Sequence, residues 1–286
     1  MTQLSTRRLL QIAGLAAAGW LFAACGKKEE PAPPPAAAAA ASTAPAPAKV
    51  YAVGTDAAYA PFESQNEKGE IVGFDIEVMQ AVAKKAGLEL KFVNTPWEGI
   101  FNALAQGDRD LVVSAVTITA ERKQTMDFSD PYFDARQLIA VKETSKVAKF
   151  ADLKQLKVGV QTGTTGDEAV GKLLGKTNPD IKRFESTPLA LKELEAGGVD
   201  AVVADNGVVI HYVANNPGGK FKTVADAGFV PEQYGIAIKK GNTELLAKVN
   251  QGLAAIRADG SYDALYVKYF GTPPPRAAAP AAAASK

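Results

Sequence analysis

Lys157-Val158-Gly159-Val160-Gln161-Thr162-Gly163-Thr164-Thr165-Gly166 passes from a β-branched run through a glycine-punctuated loop into a stretch with helical spacing. A strand feeding a helix through a short loop is the unit of an α/β fold with mainly parallel sheets. Strand, helix, strand, helix, strand can be traced over residues 157–204 and again over 50–115, so two similar halves are expected. The strand candidates are residues 50–54, 88–93, 111–115, 137–142, 157–161, 201–204 and 234–238. Between them lie helical patterns. Ile76, Met79, Val82, Ala83 and Ala86 precede Gly87, with Asp75 as the expected N-cap, and Ile100, Phe101 and Leu104 precede Gly107. Another helix is expected from Asn242 or Thr243 to Gly260.

A chain of 286 residues with 47% hydrophobic content has ample material for a core. Lys+Arg 32 against Asp+Glu 31 leaves a formal charge of +1, so no bulk field draws in nucleic acid and recognition by charge must be local. One Cys and one His rule out disulfide frameworks, Cys/His zinc sites and Cys-His catalytic pairs. No cofactor or metal is indicated.

The two ends carry other signals. Arg7 and Arg8, an apolar run over 9–24 and the small residues Ala23 and Ala24 before Cys25 read as an export signal over 1–24. The run is short of the ~20 residues that span a bilayer. Its end resembles a lipobox, with Phe22 where Leu is usual, which makes Cys25 the expected lipidation site and a periplasmic, membrane-anchored protein the expected product. A plain secretory signal cut nearby is the other reading, and the paired arginines leave twin-arginine export open beside the general route. Residues 25–48, mostly Pro and Ala, have almost nothing to bury and are expected to form a disordered tether; residues 272–286 have the same composition and are expected to form a disordered tail.

In open α/β sheets ligands bind beyond the carboxyl ends of strands, and the loops placed there are chemically informative. Residues 54–63 follow a strand and set Asp56 beside Tyr59 and Phe62; Asp56 could also simply satisfy a turn. Trp97 opens a helix after another strand, where it can face a ligand or fill core. Ser114, Ala115 and Thr117 lead to Arg122, whose planar fork suits a carboxylate. Gln161, Thr164 and Thr165 run into a helix whose free N-terminal amides suit an anion; the segment lacks the Gly-Lys-Ser/Thr ending of a phosphate loop, so a carboxylate is the better fit. Asp205 ends a strand at a helix start, as an N-cap or as a partner for a cation. Together these loops offer a cation and amides for a carboxylate, an acid for an ammonium, and aromatics with a second acid for a side chain.

Over residues 49–271 the sequence resembles the periplasmic amino-acid-binding proteins of bacterial ABC importers, which include histidine, lysine/arginine/ornithine, arginine and glutamine binders. The resemblance is carried by GTDAAYAPFES (54–64), GEIVGFDIEVMQAVA (69–83), TITAERKQTMDFSDPYF (117–133), VGVQTGTTG (158–166), GGVDAVVADN (197–206), YGIAI (234–238) and IRADGSYDALYVKYFG (256–271), in that order. It implies a two-lobed periplasmic binding protein fold, α/β with mainly parallel sheets and two hinge crossings. Lobe 1 would comprise 49–131 and 235–271 and lobe 2 137–230, with crossings near 132–136 and 231–234. It further implies a monomer that delivers a free amino acid to a membrane permease.

Residue by residue, the resemblance implies that Arg122 grips the ligand carboxylate with the amides of Thr117 and Thr165. Asp205 would bind the α-ammonium together with the Thr117 hydroxyl and the Ala115 carbonyl. Tyr59 and Trp97 would sandwich the side chain, with Asp56 at its tip, Ser114 and Gln161 along the wall, and Thr164 closing over it. Ala204 and Gln161 stand where glutamine binders present His and Lys, which favours a cationic ligand (Arg, Lys, ornithine or His) over an acidic one; glutamine or another polar amino acid is the alternative. Cyclohexadienyl dehydratases share this fold and would need a general acid with a raised pKa, for which Glu63, Glu98 and Asp56 are candidates. No second acid is clearly aimed at a leaving group, so a binding protein rather than an enzyme is expected.

Overall fold

The computed structural model describes residues 49–275. The expected export signal, Cys25, the tether and all but the first four residues of the expected tail lie outside the described residues. From the start of this region the chain forms β1 (Val50–Thr55), β2 (Ala58–Tyr59), β3 (Glu63–Gln65), β4 (Ile71–Val72), α1 (Phe74–Ala86), β5 (Glu89–Asn94), α2 (Trp97–Gln106), β6 (Leu111–Val112), the single turn α3 (Arg122–Thr125) and β7 (Met126–Phe128). β8 (Phe133–Ala135) leads into β9 (Gln137–Lys142), β10 (Val158–Gln161), α4 (Thr165–Leu174), β11 (Ile181–Phe184), α5 (Thr187–Ala196), β12 (Ala201–Asp205), α6 (Asn206–Asn215) and β13 (Phe221–Val224). The chain returns through β14 (Glu232–Tyr234) to β15 (Ala237–Lys239), α7 (Thr243–Ala258) and α8 (Ser261–Phe270).

Two five-stranded sheets result, ordered β5-β1-β6-β15-β7 and β11-β10-β12-β9-β13, joined by the antiparallel ribbon β8-β14. In each sheet the fourth strand in this order runs antiparallel to its neighbours, so four of five strands share one direction. This is the expected α/β architecture in two halves, with the internal echo realised as two sheets of matching order.

The apolar runs are continuous because each sheet is buried on both faces. In the second sheet Ile139, Val141, Val158, Val160, Ala201 and Val203 turn to one core, and Leu138, Ala140, Val202 and Ala204 to the other. The first sheet sends Val53, Leu111, Val113 and Ile238 toward α1, α7 and α8, and Val112 and Ala237 toward α2. Period-two alternation thus sorts adjacent apolar residues between two cores.

Three local expectations are corrected. The expected strand over 111–115 ends at Val112, because Ala115 takes a left-handed turn at φ 45 that carries the next loop away from the sheet. The run 234–238 is not one strand: Tyr234 belongs to the ribbon with β8, and Ala237–Lys239 joins the first sheet. Asp75 is not an N-cap. The cap position is Gly73, at φ 139, where a Cβ would sit 2.1 Å from the Phe62 carbonyl oxygen, and Asp75 lies fully buried in the first turn of α1. By contrast, Asn242 does cap α7, accepting from the Leu245 amide. Strands β7 and β13 and helix α8 lie outside the local expectations; the two strands pair with β15 and β9, partners that are distant in sequence.

Helix α7 lies against α1 at Gly252, where an added Cβ would come within 2.7 Å of the Val82 carbonyl oxygen. In a free helix Gly→Ala gains about 1 kcal/mol. Here overpacking of about 1–3 kcal/mol reverses the sign, so Gly252→Ala is expected to lower the unfolding midpoint in a urea titration.

Candidate functional site

All eleven residues expected in the site (Asp56, Tyr59, Trp97, Ser114, Ala115, Thr117, Arg122, Gln161, Thr164, Thr165 and Asp205) line one cavity, and Glu63 lines it with them. The residues arrive from both sheets, each from a loop beyond a strand or at a helix start. The carboxyl ends of β1 and β6 supply Asp56 and the 114–117 loop, the start of α2 supplies Trp97, and β10, α4 and the end of β12 supply Gln161, the two threonines and Asp205.

At one end the Arg122 guanidinium lies 5.2 Å from the ring centroids of both Trp97 and Phe101, which themselves meet edge to face at 4.9 Å. Its Nη1 donates to the Thr117 carbonyl at 2.9 Å and its Nη2 reaches the Gly163 carbonyl at 3.4 Å. Burial pulls its pKa somewhat down, against the pull of nearby acids. The rings and the Thr117 carbonyl fix the plane of the fork. Thr164 caps α4 by accepting from the Asp167 amide, which leaves the first turn of that helix beside the cavity.

Asp205 is 6% exposed, and its side chain does not cap α6. Instead it accepts from the Gln137 amide and from the Tyr234 hydroxyl, the latter at 2.5 Å, with the Tyr59 hydroxyl alongside. Burial, with Glu232 nearby, raises its pKa to about 6 despite these donors. Asp56 is likewise pushed upward by burial, offset by the Gln161 amide at 3.3 Å and the Trp97 backbone N–H. Among the described residues no Lys or Arg lies within salt-bridge distance of either acid. Gln161 is held in place as its Oε1 accepts from the Thr187 hydroxyl and its Nε2 donates to the Glu185 carbonyl, which turns the amide N–H face toward Asp56.

Three further side chains adjoin the cavity residues without a local sequence signal. Glu232, on β14, accepts from the hydroxyls of Thr117 at 2.7 Å and Thr165 at 2.8 Å and from Gln137 at 3.1 Å, tying loops of both sheets to the ribbon. Gln137 was hidden at the head of an apolar strand; a buried polar residue there, 3% exposed, is the signal that could have found it. Tyr234 lay within a run read as strand. Glu63 had been weighed only as a general acid, and the structure places it in the cavity wall.

The chain is similar to known proteins along nearly all of its folded length. It is 47% identical over 263 residues to a probable histidine-binding protein of Neisseria gonorrhoeae, covering 90% of this chain and 94% of that one. It superposes on the arginine-, lysine-, histidine-binding protein ArtJ of the thermophilic bacterium Geobacillus stearothermophilus with a TM-score of 0.77 at 47% identity, covering 79% of this chain and 97% of that one. An ancestral arginine-binding protein, solved with arginine and also with glutamine, aligns with a TM-score of 0.73 at 44% identity, over 78% of this chain and 98% of that one. The sequence model of the bacterial extracellular solute-binding proteins, family 3, matches residues 51–272, and the chain belongs to that family.

Proposed function

We propose that the protein is the extracytoplasmic solute-binding component of an ABC importer and that its ligand is a free cationic amino acid, arginine foremost. The observation that carries this reading is the charge imbalance of the cavity: one guanidinium, Arg122, faces Asp56 and Asp205, two largely buried acids without a salt-bridge partner among the described residues. Buried carboxylates are costly unless paired. A ligand with one carboxylate and two cationic groups supplies a partner to all three. Relatives whose names specify histidine, arginine or lysine support the same class.

In this reading Arg122 takes the α-carboxylate with the amides of Thr117 and Thr165, and Asp205 takes the α-ammonium with the Ala115 carbonyl and the Thr117 hydroxyl. Trp97 and Tyr59 flank the side chain, Asp56 receives its cationic tip, Ser114 and Gln161 line its path, and Thr164 closes the far wall. Lobe 1 (49–131 and 235–271) receives the ligand and lobe 2 (137–230) closes on it about the two crossings. The contacts of Gln161 with Asp56 and of Arg122 with Gly163 are of the kind closure would make. The closed monomer then docks on its permease, held near the membrane by lipid on Cys25. Catalysis is not part of this reading: Glu63, although in the cavity wall, has its carboxyl engaged by the Ser114 hydroxyl and set beside Asp75.

A thermal-shift panel of the twenty amino acids plus ornithine is expected to give its largest shifts with arginine, lysine, ornithine or histidine, since tight ligands stabilise by mass action. A response confined to glutamate would overturn the side-chain assignment. Arg122→Ala removes the anchor common to every amino acid and should cost about 2–5 kcal/mol of binding with all of them. Asp56→Asn should weaken arginine by about 1.5–3 kcal/mol and leave glutamine nearly unchanged in the same calorimetric titration.

Affinity should also depend on pH. The bound ammonium favours ionised Asp205, so the ligand-free protein takes up the competing proton as pH falls through about 6. Arginine affinity is expected to be level above that value and to fall by up to about tenfold per pH unit below it. A flat profile from pH 8 to pH 4.5 would remove Asp205 from the ammonium site.

A further inference from the structure

Glu63 on β3 and Asp75 on α1 are both fully buried, and their carboxyl groups lie within hydrogen-bond reach of each other. One oxygen of each is satisfied. The Ser114 hydroxyl donates to Glu63 Oε1 at 2.9 Å, while the Ala115 amide and the Tyr132 hydroxyl donate to Asp75 Oδ2 at 2.7 and 2.6 Å. The other two, Glu63 Oε2 and Asp75 Oδ1, are buried without any donor. Among the described residues no Lys or Arg forms a salt bridge with either acid. The titratable groups facing the pair are Tyr132, Asp56 and Tyr59, with Arg122 and Asp205 farther along the cavity.

Only one protonation state satisfies every atom. Two ionised groups would repel at contact distance with two orphaned oxygens, and two protonated groups would leave an O–H without an acceptor. A single proton between them serves both oxygens. The same arrangement commits Ser114, whose only proton goes to Glu63 while its oxygen accepts the Asp56 amide at 3.0 Å. Toward the cavity Ser114 therefore has a lone pair to offer and no donor.

We propose that Glu63 and Asp75 hold one proton between them and that this pair, by fixing Ser114 as an acceptor, is a positioning device that makes the cavity prefer a ligand tip rich in N–H donors. The pair also holds Ala115 in its left-handed turn through the Asp75 bond to its amide. Burial and the neighbouring acid push Glu63 well above the usual carboxyl range, while Asp75 rises to about 6.

The first arm of the test needs no ligand. Infrared spectra at pH 8 should show the carbonyl stretch of a protonated carboxylic acid in the wild type and lose it in Glu63→Gln; its absence from the wild type overturns the proposal. The second arm rests on the amino-acid reading above and compares arginine with citrulline, its neutral isostere, by calorimetry. Glu63→Gln, whose amide donates to Asp75 and accepts from Ser114 as the protonated acid does, should keep the arginine-to-citrulline ratio within about threefold of wild type. Glu63→Leu frees the Ser114 proton and should reduce the ratio by roughly tenfold. Ser114→Ala, which leaves the acid pair in place, should do the same even if Glu63→Leu fails to fold. Unchanged ratios in Glu63→Leu or Ser114→Ala, or a collapsed ratio in Glu63→Gln, refute the specificity role. Should the wild type bind neither compound, the ligand assignment and this role fall together, and the infrared band still decides the shared proton.

Discussion

A carboxylate taken out of water loses its hydration and must find compensation from donors, a cation or a proton. This protein buries four around one small space: Asp56, Glu63, Asp75 and Asp205. Each is compensated differently. Asp205 has amide and phenol donors, Asp56 has amide donors alone, and Glu63 and Asp75 have each other. Among the described residues none has a Lys or Arg within salt-bridge distance, and the one guanidinium lining the cavity is held by two rings and a backbone carbonyl. Positive charge is thus left to be supplied from outside, and the fold holds that deficit open by surrounding it with rigid sheet ends.

The sheets can do so because their strand order is repeated. In both, the first strand of each half lies between the second and the third, so the loops after them converge on one edge. The edges face each other across the ribbon of β8 and β14, from which Glu232 and Tyr234 reach back to the cavity loops. Ribbon, cleft and acid site share side chains.

How much of this could be read from the sequence differs by residue. Arg122, Asp205, Trp97 and the threonines were legible because each follows a strand-forming run, and strand ends are where such folds place ligands. Asp75 was misread because an acid at a helix start ordinarily caps; nothing local reveals that Gly73 already fills that position and that Tyr132 and Ala115 wait on the far side. Glu232 was invisible for a similar reason. Its partners Thr117 and Thr165 are 115 and 67 positions away, and a separation of that kind leaves no periodic trace. Strand existence followed from β-branched runs, whereas the splitting of 234–238 between ribbon and sheet depended on a change of pairing partner at Gly235.

The insertion of β15 between β6 and β7 also orders events during biosynthesis. Residues 50–128 leave the ribosome early, yet their sheet lacks an interior strand until residues 237–239 emerge, after the other sheet already has all its strands. Pairings over such sequence distances are slow to form. The N-terminal portion of the polypeptide therefore stays unfinished until synthesis is nearly over, with the facing edges of β6 and β7 unpaired in the meantime.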